Sequence, residues 1–496
     1  MTPPPTAAPP APAARPAAAP AHSERSMFQG IAWTGGAKWA SQIATWASTV
    51  LVARALSPGD YGLVGMATVF LGLVAMLGEF GLGAAVVNDR ALGARQVRQL
   101  NTLSVALGVV CLGAGVAASG RLAGFFAAPA LAPVVVALSV GFAVSGFRTV
   151  PLALMQRDLR FRRLALVDAG QALLVAGATV AMALGGLGYW SLVFSNLLGT
   201  AISTAVVLAQ RPCGFAWPRR VEVGAALTFS WRILVSRLAW YTYSNADSLV
   251  VGRVLGQAVL GSYGLAWTLA NLPIDKVSAM VIRVTPAYFA AVAGDRATLR
   301  RYFLTLTEAL AMATVPATVG LALVADDFVR VVLGERWEAA AVPLRLLALY
   351  AAFRSVVPLV PQVLNAVGDA RFAMWMGVAS ALVLPPAFYV GTRWGAAGVA
   401  WTWVVAYPLL TAPLYARLFR ALGMPARDYA RALWPAATGS VGMALAVASA
   451  QHLLAAHPAP ARLAAAVAAG GAAYLVMMAT VHRPRVRAMR DVLRPA

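Results

Sequence analysis

Eight cations and five carboxylates fall inside stretches of this chain that are otherwise apolar. They are Lys38, Arg148, Arg232, Arg237, Lys276, Arg283, Arg345 and Arg354, against Glu79, Asp168, Asp247, Asp275 and Glu308. An Arg, Lys or Asp at the middle of a membrane-spanning helix costs about 2.5 to 3.5 kcal/mol on insertion scales, so each needs a wet cavity or a partner. Arg345, Arg283 and Asp168 lie within about two helical turns of the end of a run, where side chains can reach the interface. Lys38, Arg237, Lys276 and Arg354 lie nearer mid-run. A surplus of bases favours an anion, and phosphate groups suit Arg and Lys donors. Of the basic residues 38 are arginine and two are lysine, Lys38 and Lys276, both inside apolar runs. A compact ammonium there would serve as a point-charge phosphate contact; codon bias and chance explain the same count.

Polar side chains around these charges recur at helical spacing. Thr34, Lys38, Ser41, Gln42, Thr45 and Ser48 form one stripe. Thr228, Arg232, Ser236, Tyr243 and Asp247 form a second, with Arg237, Tyr241, Ser244 and Ser248 on an adjacent side. Asn271, Asp275 and Ser278 share a face, and Lys276 and Arg283 another. Interhelical hydrogen bonding also uses Ser, Thr and Asn, but it does not call for full charges near the midplane. The expectation is a hydrated central cavity with Lys38, Arg232, Arg237, Lys276, Arg283 and Arg354 as anion-binding residues. Glu79, Asp247 and Asp275 are the candidates for ion coupling or charge balance.

Other chemistries find no constellation. His22, His452, His457 and His482 lie at or near termini and loops, so no metal site or catalytic triad is expected, and no cofactor. Gly81-Leu-Gly83 follows no strand and is not a phosphate loop. Cys111 sits in an apolar run and Cys213 in a basic loop, which is no disulfide framework.

The elements that position these residues follow from composition. Of 496 residues 60% are hydrophobic and 12% charged, and mean hydropathy is +0.72. A soluble domain carries about 25% charged residues, so a water-exposed globule is excluded and an all-α polytopic membrane protein is predicted. The net charge of +22 does not imply nucleic acid, because the bases lie between apolar runs. Fourteen helices are expected, near 28–53, 61–88, 99–119, 131–155, 164–186, 188–210, 224–251, 259–286, 300–324, 340–366, 371–391, 394–416, 430–451 and 461–481. With this segmentation and a cytoplasmic N-terminus, 25 Lys/Arg fall on the cytoplasmic side and seven opposite, an asymmetry that predicts both termini inside. Residues 1–26 form a Pro/Ala-rich tail without apolar bulk, expected to be disordered and not a secretory signal.

The halves echo each other. Arg54-Ala-Leu-Ser-Pro-Gly-Asp-Tyr61-Gly-Leu pairs with Arg253-Val-Leu-Gly and Ser-Tyr263-Gly-Leu. Phe147-Arg148-Thr-Val pairs with Phe353-Arg354-Ser-Val, Leu159-Arg160-Phe161 with Ala370-Arg371-Phe372, and Leu187-Gly188 with Ala397-Gly398. Six helices separate the copies, so the repeat is parallel, as between the halves of several transporters. Two pseudo-symmetric six-helix lobes result, 27–210 and 223–420, joined by a cytoplasmic linker, 211–222. Residues 421–496 add a helix pair and a basic cytoplasmic tail. No soluble domain interrupts the pattern; the longest internal loop, near 325–339, argues against an enzyme with an extramembrane catalytic domain.

Five segments stand out in order: Ala53-Arg54-Ala-Leu-Ser-Pro-Gly-Asp60-Tyr61-Gly-Leu, Gly78-Glu79-Phe80-Gly-Leu-Gly83-Ala-Ala, Ala127-Ala-Pro129-Ala-Leu131, Pro151-Leu-Ala-Leu-Met-Gln-Arg157-Asp-Leu-Arg160-Phe161-Arg and Leu333-Gly-Glu-Arg-Trp337-Glu-Ala-Ala. Together they resemble the polysaccharide transporter family of lipid-linked oligosaccharide flippases, within the multidrug/oligosaccharidyl-lipid/polysaccharide superfamily. The similarity runs from about residue 28 to 420; the Pro/Ala tail is outside it. The resemblance implies two lobes forming a V, with cavity walls from the first two helices of each lobe. It also implies export of an undecaprenyl-pyrophosphate-linked oligosaccharide across a bacterial inner membrane by alternating access, for exopolysaccharide or O-antigen synthesis. The basic residues would hold the pyrophosphate, and Trp33, Trp240 and Trp267 could stack on sugars. The lipid-linked oligosaccharide, membrane lipids, and polysaccharide polymerase and chain-length proteins would be the partners of a monomer. Two alternatives stay open: a cation-coupled multidrug antiporter dependent on Asp247 or Asp275, and a membrane glycan polymerase or ligase using Asp326, Asp327, Glu335, Arg336 and Glu338.

Overall fold

Ser57, Pro58 and Asp60 show how the recurring motif of the first half folds. Ser57 caps a helix: its backbone N–H and hydroxyl donate to Asp60 Oδ2 at 2.9 and 2.7 Å, and the Asp60 N–H donates back to Ser57 Oγ at 3.2 Å. Pro58, whose missing N–H costs nothing in a first turn, starts the helix. The computed structural model describes residues 42, 44–79, 81–89, 92–219, 241–282 and 285–487, and these are helical apart from short connections.

The first half holds α1 (44–55), α2 (Pro58–Glu79), α3 (Leu82–Asn88), α4 (Ala94–Phe125), α5 (Leu131–Arg157), α6 (Phe161–Leu184) and α7 (Trp190–Gln210). The second holds α8 (Ala246–Val254), α9 (Gln257–Ile282), α10 (Thr285–Ala291), α11 (Arg296–Leu323), α12 (Ala325–Phe328), α13 (Ala341–Arg354), α14 (Leu359–Ala366), α15 (Ala370–Gly391) and α16 (Gly395–Leu422). A final hairpin, α17 (Ala426–Leu453) and α18 (Ala459–Thr480), packs on α11. Ten stretches among the described residues are long and apolar enough to cross a bilayer, and one of them, Arg371–Leu422, contains two helices. The chain is a multi-pass membrane protein.

The packing repeats as the sequence does. In the first half α2 packs on α4 and α5, α4 on α5, α6 on α7, and α5 on α7. In the second, α9 packs on α11 and α13, α11 on α13, α15 on α16, and α13 on α16. These are two lobes of one design. In the first lobe the second helix ends in a break at Gly81, which adopts φ 66°, and the short helix α3 follows, so the single helix expected over 61–88 is two. The helix expected over 340–366 also divides, between Arg354 and Leu359, ahead of which Pro358 offers no N–H.

The lobes meet through α2 and α9. A Cβ on Gly62 would lie 1.7 Å from the Gln257 carbonyl oxygen, and one on Gly261 would lie 1.8 Å from that of Pro58. Only glycine allows backbones this close. A shared apolar core surrounds the crossing, with Leu63 and Met66 from one lobe against Leu260, Leu265, Trp337 and Trp403 from the other.

Candidate substrate cavity

Beyond the glycine crossing the lobes diverge and enclose a cavity of about 920 Å³. Its first-lobe wall presents Thr45, Ser48 and Thr49 of α1, Thr68 of α2, Asp168 and Gln171 of α6, and Asn196 of α7. Opposite stand Tyr241, Asn245 and Ser248, then Trp267 and Thr268 of α9. Most of the lining surface is apolar, from side chains such as Val52, Val64, Val175 and Leu192, and its polar groups are mainly hydroxyls and amides, with Trp267 as an aromatic face: these can exchange hydrogen bonds with sugar hydroxyls and stack on a ring. Asp168 is the carboxylate on the described wall.

At the glycine crossing this cavity is shut. The Trp337 indole N–H donates to the Ala53 carbonyl at 2.7 Å, and its ring meets Tyr61 edge-on at 5.2 Å. The Arg54 guanidinium donates to the Val331 and Val332 carbonyls, Nε reaching Val332 at 2.9 Å. Those carbonyls lie at the end of a π-helical turn, Val329–Leu333, where helix oxygens lack internal partners. Gly334, at φ 99°, turns the chain away behind them.

Of the residues singled out in the sequence, Lys38, Arg232, Arg237 and Arg283 lie outside the described residues, as do Trp33 and Trp240. Glu79, at the end of α2, and Asp275 and Lys276, on α9, are described only in backbone. Arg354 sits one layer behind the cavity wall, its guanidinium 6.0 Å from the Trp267 ring centroid and hydrogen-bonded to Asn271 Oδ1. Asp247 departs from expectation. Helical spacing puts it on a cavity-facing stripe, but it is 2% exposed inside the second lobe. Its Oδ2 accepts from Tyr263 Oη at 2.7 Å and Trp403 Nε1 at 2.9 Å, and its Oδ1 from the Ser248 N–H at 2.7 Å. Among the described residues no cation pairs with it, so neutralising a neighbouring base is not the work these contacts do.

Arg148, the repeat partner of Arg354, occupies a side chamber of about 390 Å³ within the first lobe. Its Nη1 donates to Gln171 Oε1 at 3.1 Å and Ser203 Oγ at 2.7 Å. The chamber shares Thr68 and Asn196 with the central cavity. Gln171 and Asn196 escaped the sequence reading because a lone amide in an apolar run carries no charge penalty to flag it. Arg345 pairs with Asp326 near the surface, as its place near a run's end allows. Asp327 is held by Arg462, and Glu338 by Arg330 at 3.3 Å. Three of the five residues that a polymerase or ligase reading would use are thus held in ion pairs.

Two lobes of one helical design, meeting at glycines and flanking a cavity with hydroxyl- and amide-bearing walls, define the architecture of a two-lobed membrane transporter. Residues 51–342 match the family model described as "Polysaccharide biosynthesis protein", and the chain belongs to that family. It is 28% identical over 419 residues to the lipopolysaccharide biosynthesis protein WzxC of Escherichia coli K12, covering 80% of this chain and 83% of WzxC. It is 24% identical over 486 residues to the succinoglycan biosynthesis transport protein ExoT of Rhizobium meliloti, covering 96% and 97%. Among solved structures, the lipid II flippase MurJ in an inward closed conformation aligns at a TM-score of 0.72 and 12% identity, over 92% of this chain and 99% of MurJ. An inward-facing MATE-family multidrug transporter aligns at 0.60 and 15% identity, over 77% and 95%. These last two establish the shared fold.

Proposed function

We propose that this protein is a flippase that moves a lipid-linked oligosaccharide, of the undecaprenyl-pyrophosphate type, across the bacterial inner membrane for exopolysaccharide or O-antigen assembly. The observation that carries the reading is the central cavity: hydroxyls, amides and one indole face make a surface suited to a glycan, at a depth where free sugars have no other reason to be. Family membership and the biosynthetic roles that the names of WzxC and ExoT carry support it. In this reading Lys38, Arg232, Arg237, Lys276, Arg283 and Arg354 supply cationic contacts for the pyrophosphate, and Glu79 and Asp275 serve charge balance or ion coupling. An inside-negative potential is worth about 2.3 kcal/mol per charge per 100 mV and favours export of an anion. Both termini face the cytoplasm, which puts the Arg54–Trp337 closure on the outer side and opens the cavity inward. The chain acts as a monomer that hands its cargo to polymerase and chain-length proteins.

Mass spectrometry of lipids from a strain lacking the chain tests the proposal. Lipid-linked oligosaccharide should accumulate and disappear on complementation; a deletion strain with an unchanged lipid profile would refute it. Unchanged export by the Arg237→Ala/Lys276→Ala double variant would remove the cationic site while leaving the flippase reading in place.

A further inference from the structure

The helix α4 is longer than a membrane requires. Its 32 residues span about 48 Å at 1.5 Å each, against a hydrocarbon core of about 30 Å. Arg95, Gln96 and Arg98 crowd its start, so most of the excess projects there among the lipid headgroups. The chain that leaves the first lobe lies against this projection. After α7 ends at Gln210, residues 212–219 form no helix and cross α4 at its residues 99–102. Side chains of α4 meet four backbone groups of this strap. Gln99 Nε2 donates to the Trp217 carbonyl at 3.1 Å, and Asn101 Nδ2 to the Cys213 and Gly214 carbonyls at 3.3 and 3.2 Å. The Ala216 N–H donates to Thr102 Oγ1 at 3.1 Å. Gln99 and Asn101 are buried, and the strap is what gives two amides a place in that helix.

Held in this way, the strap turns aromatic side chains outward. Trp217 is 84% exposed and Phe215 57%, and Phe215 stands edge-on to Phe147 of α5 at 6.4 Å. Two guanidiniums flank the rings. The Arg98 side chain runs beside Gly214, where an added Cβ would lie 3.5 Å from its Nε, and Arg219 follows Trp217 by two residues. Both arginines are exposed, and among the described residues no carboxylate pairs with either; Asp158 pairs with Arg211 at 3.3 Å instead.

We propose that this strap between the lobes is seated in the headgroup layer of one leaflet and binds anionic phospholipid. Phe215 and Trp217 rest in the acyl boundary, and Arg98 and Arg219 take the phosphates. Indole rings favour this layer, which solvates the ring and leaves the N–H a polar partner. Guanidinium offers a phosphate paired donors. In water, nothing would favour showing an indole and a phenyl ring two residues apart. At lipid depth, non-helical backbone must have its polar groups met by protein, and α4 meets them. With both termini inside, as proposed, the leaflet is the cytoplasmic one, whose surface is negative. This placement goes beyond the flippase reading and does not depend on the cargo.

The test uses the full-length protein with Cys111 and Cys213 replaced by alanine, in nanodiscs of phosphatidylcholine and phosphatidylglycerol. A nitroxide on Phe215→Cys should collide with oxygen more than with a water-soluble nickel chelate, as one on Leu445→Cys of α17 does. One on Ala455→Cys, in the turn between α17 and α18, should show the reverse. A label at 215 that behaves like the one at 455 puts the strap in water, open to a soluble partner, and overturns the proposal. Native mass spectrometry then counts the phosphatidylglycerol that stays bound. Arg98→Gln/Arg219→Gln should lower it by roughly threefold or more, with retained phosphatidylcholine unchanged, and Arg98→Lys/Arg219→Lys should keep most of it. Equal retention by the glutamine variant, or equal loss of both lipids, overturns the headgroup contact.

Discussion

The indole N–H of Trp337 donates to the main-chain carbonyl of Ala53, 2.7 Å away and 284 residues earlier in the chain. This bond ties the end of α1 in one lobe to the short 3-10 helix, Glu335–Ala340, after the π-helical turn in the other. It sits beside the Tyr61 ring contact and the Arg54 hydrogen bonds, so three independent contacts close one end of the cavity. Trp337→Phe would keep the ring packing and lose the donor. A net hydrogen bond contributes about 0.5–1.5 kcal/mol, so the closed population should fall several-fold. With Cys111 and Cys213 replaced by alanine, Val52→Cys is the reporter: its maleimide labelling by an impermeant reagent should rise severalfold in Trp337→Phe and further with Arg54→Ala. Identical labelling in all three backgrounds would show that these contacts do not hold the gate.

Arg148 should matter for transport rather than for folding. Its Nη1 bonds go to two neutral acceptors, Gln171 and Ser203, in a chamber that adjoins the cavity. Arg148→Ala should lower export at least tenfold, while its melting temperature in detergent stays close to that of the parent. Arg148→Lys keeps the charge but cannot hold the two-acceptor geometry, and should recover only part of the export. A destabilised protein with normal export per folded molecule would place Arg148 among structural residues.

Asp247 predicts the opposite pattern. Its carboxylate gathers donors from Ser248, Tyr263 and Trp403 in the interior of the second lobe. Asp247→Ala leaves the buried Tyr263 hydroxyl without its acceptor, at about 1–3 kcal/mol, and the Trp403 indole N–H with only the longer contact to Tyr263 Oη at 3.1 Å. Tyr263→Phe removes one donor and leaves the carboxylate with two, which should cost less. Thermal unfolding in detergent should rank the parent above Tyr263→Phe, and Tyr263→Phe above Asp247→Ala. An Asp247→Ala protein as stable as the parent would contradict this, and would restore Asp247 as a coupling residue.

Much of this architecture was legible in the residues. Apolar runs and loop arginines gave the helices, and Arg148 and Arg354 announced the duplication that the packing repeats. The breaks after α2 and α13 were not legible, because hydropathy counts apolar residues and does not register where a helix stops and restarts within a run. Asp247 was misplaced for a related reason. Helical spacing assigns a side but not a neighbour, and its donors Tyr263 and Trp403 come from 16 and 156 residues away. The gate was hidden more deeply, since Trp337 and Arg54 bond to carbonyls, which every residue carries.

The terminal hairpin lies outside the repeat, yet it is fastened to the second lobe by charge. Arg462, at the start of α18, makes a two-point ion pair with Asp327 of α12, whose side chain is 7% exposed. Asp327→Arg and Arg462→Asp should each lower the melting temperature and loosen the hairpin to added protease. The combined swap should recover most of both losses, because it restores opposite charges at the same contact. Swapped and single variants that melt alike would show the pair to be incidental.

Gly62 and Gly261 set how closely the lobes can approach. Each faces a carbonyl of the other lobe, Gln257 for Gly62 and Pro58 for Gly261, at a distance a methyl group cannot share. The obstacle is backbone on both sides, so no side-chain rotation can relieve it. Gly62→Ala must therefore push α2 and α9 apart, and the separation carries Ala53 away from Trp337. Closure at that end should be lost while each lobe keeps its own core. Two readouts follow: Val52→Cys labelling at least as strong as with Trp337→Phe, and export reduced because the cavity no longer seals on that side. Gly65, further along α2, is the control, since a Cβ there would meet only the flexible Leu260 side chain at 3.6 Å. Gly65→Ala should leave labelling and export close to the parent's. If Gly62→Ala behaved like Gly65→Ala, the crossing would not be what sets the closed state.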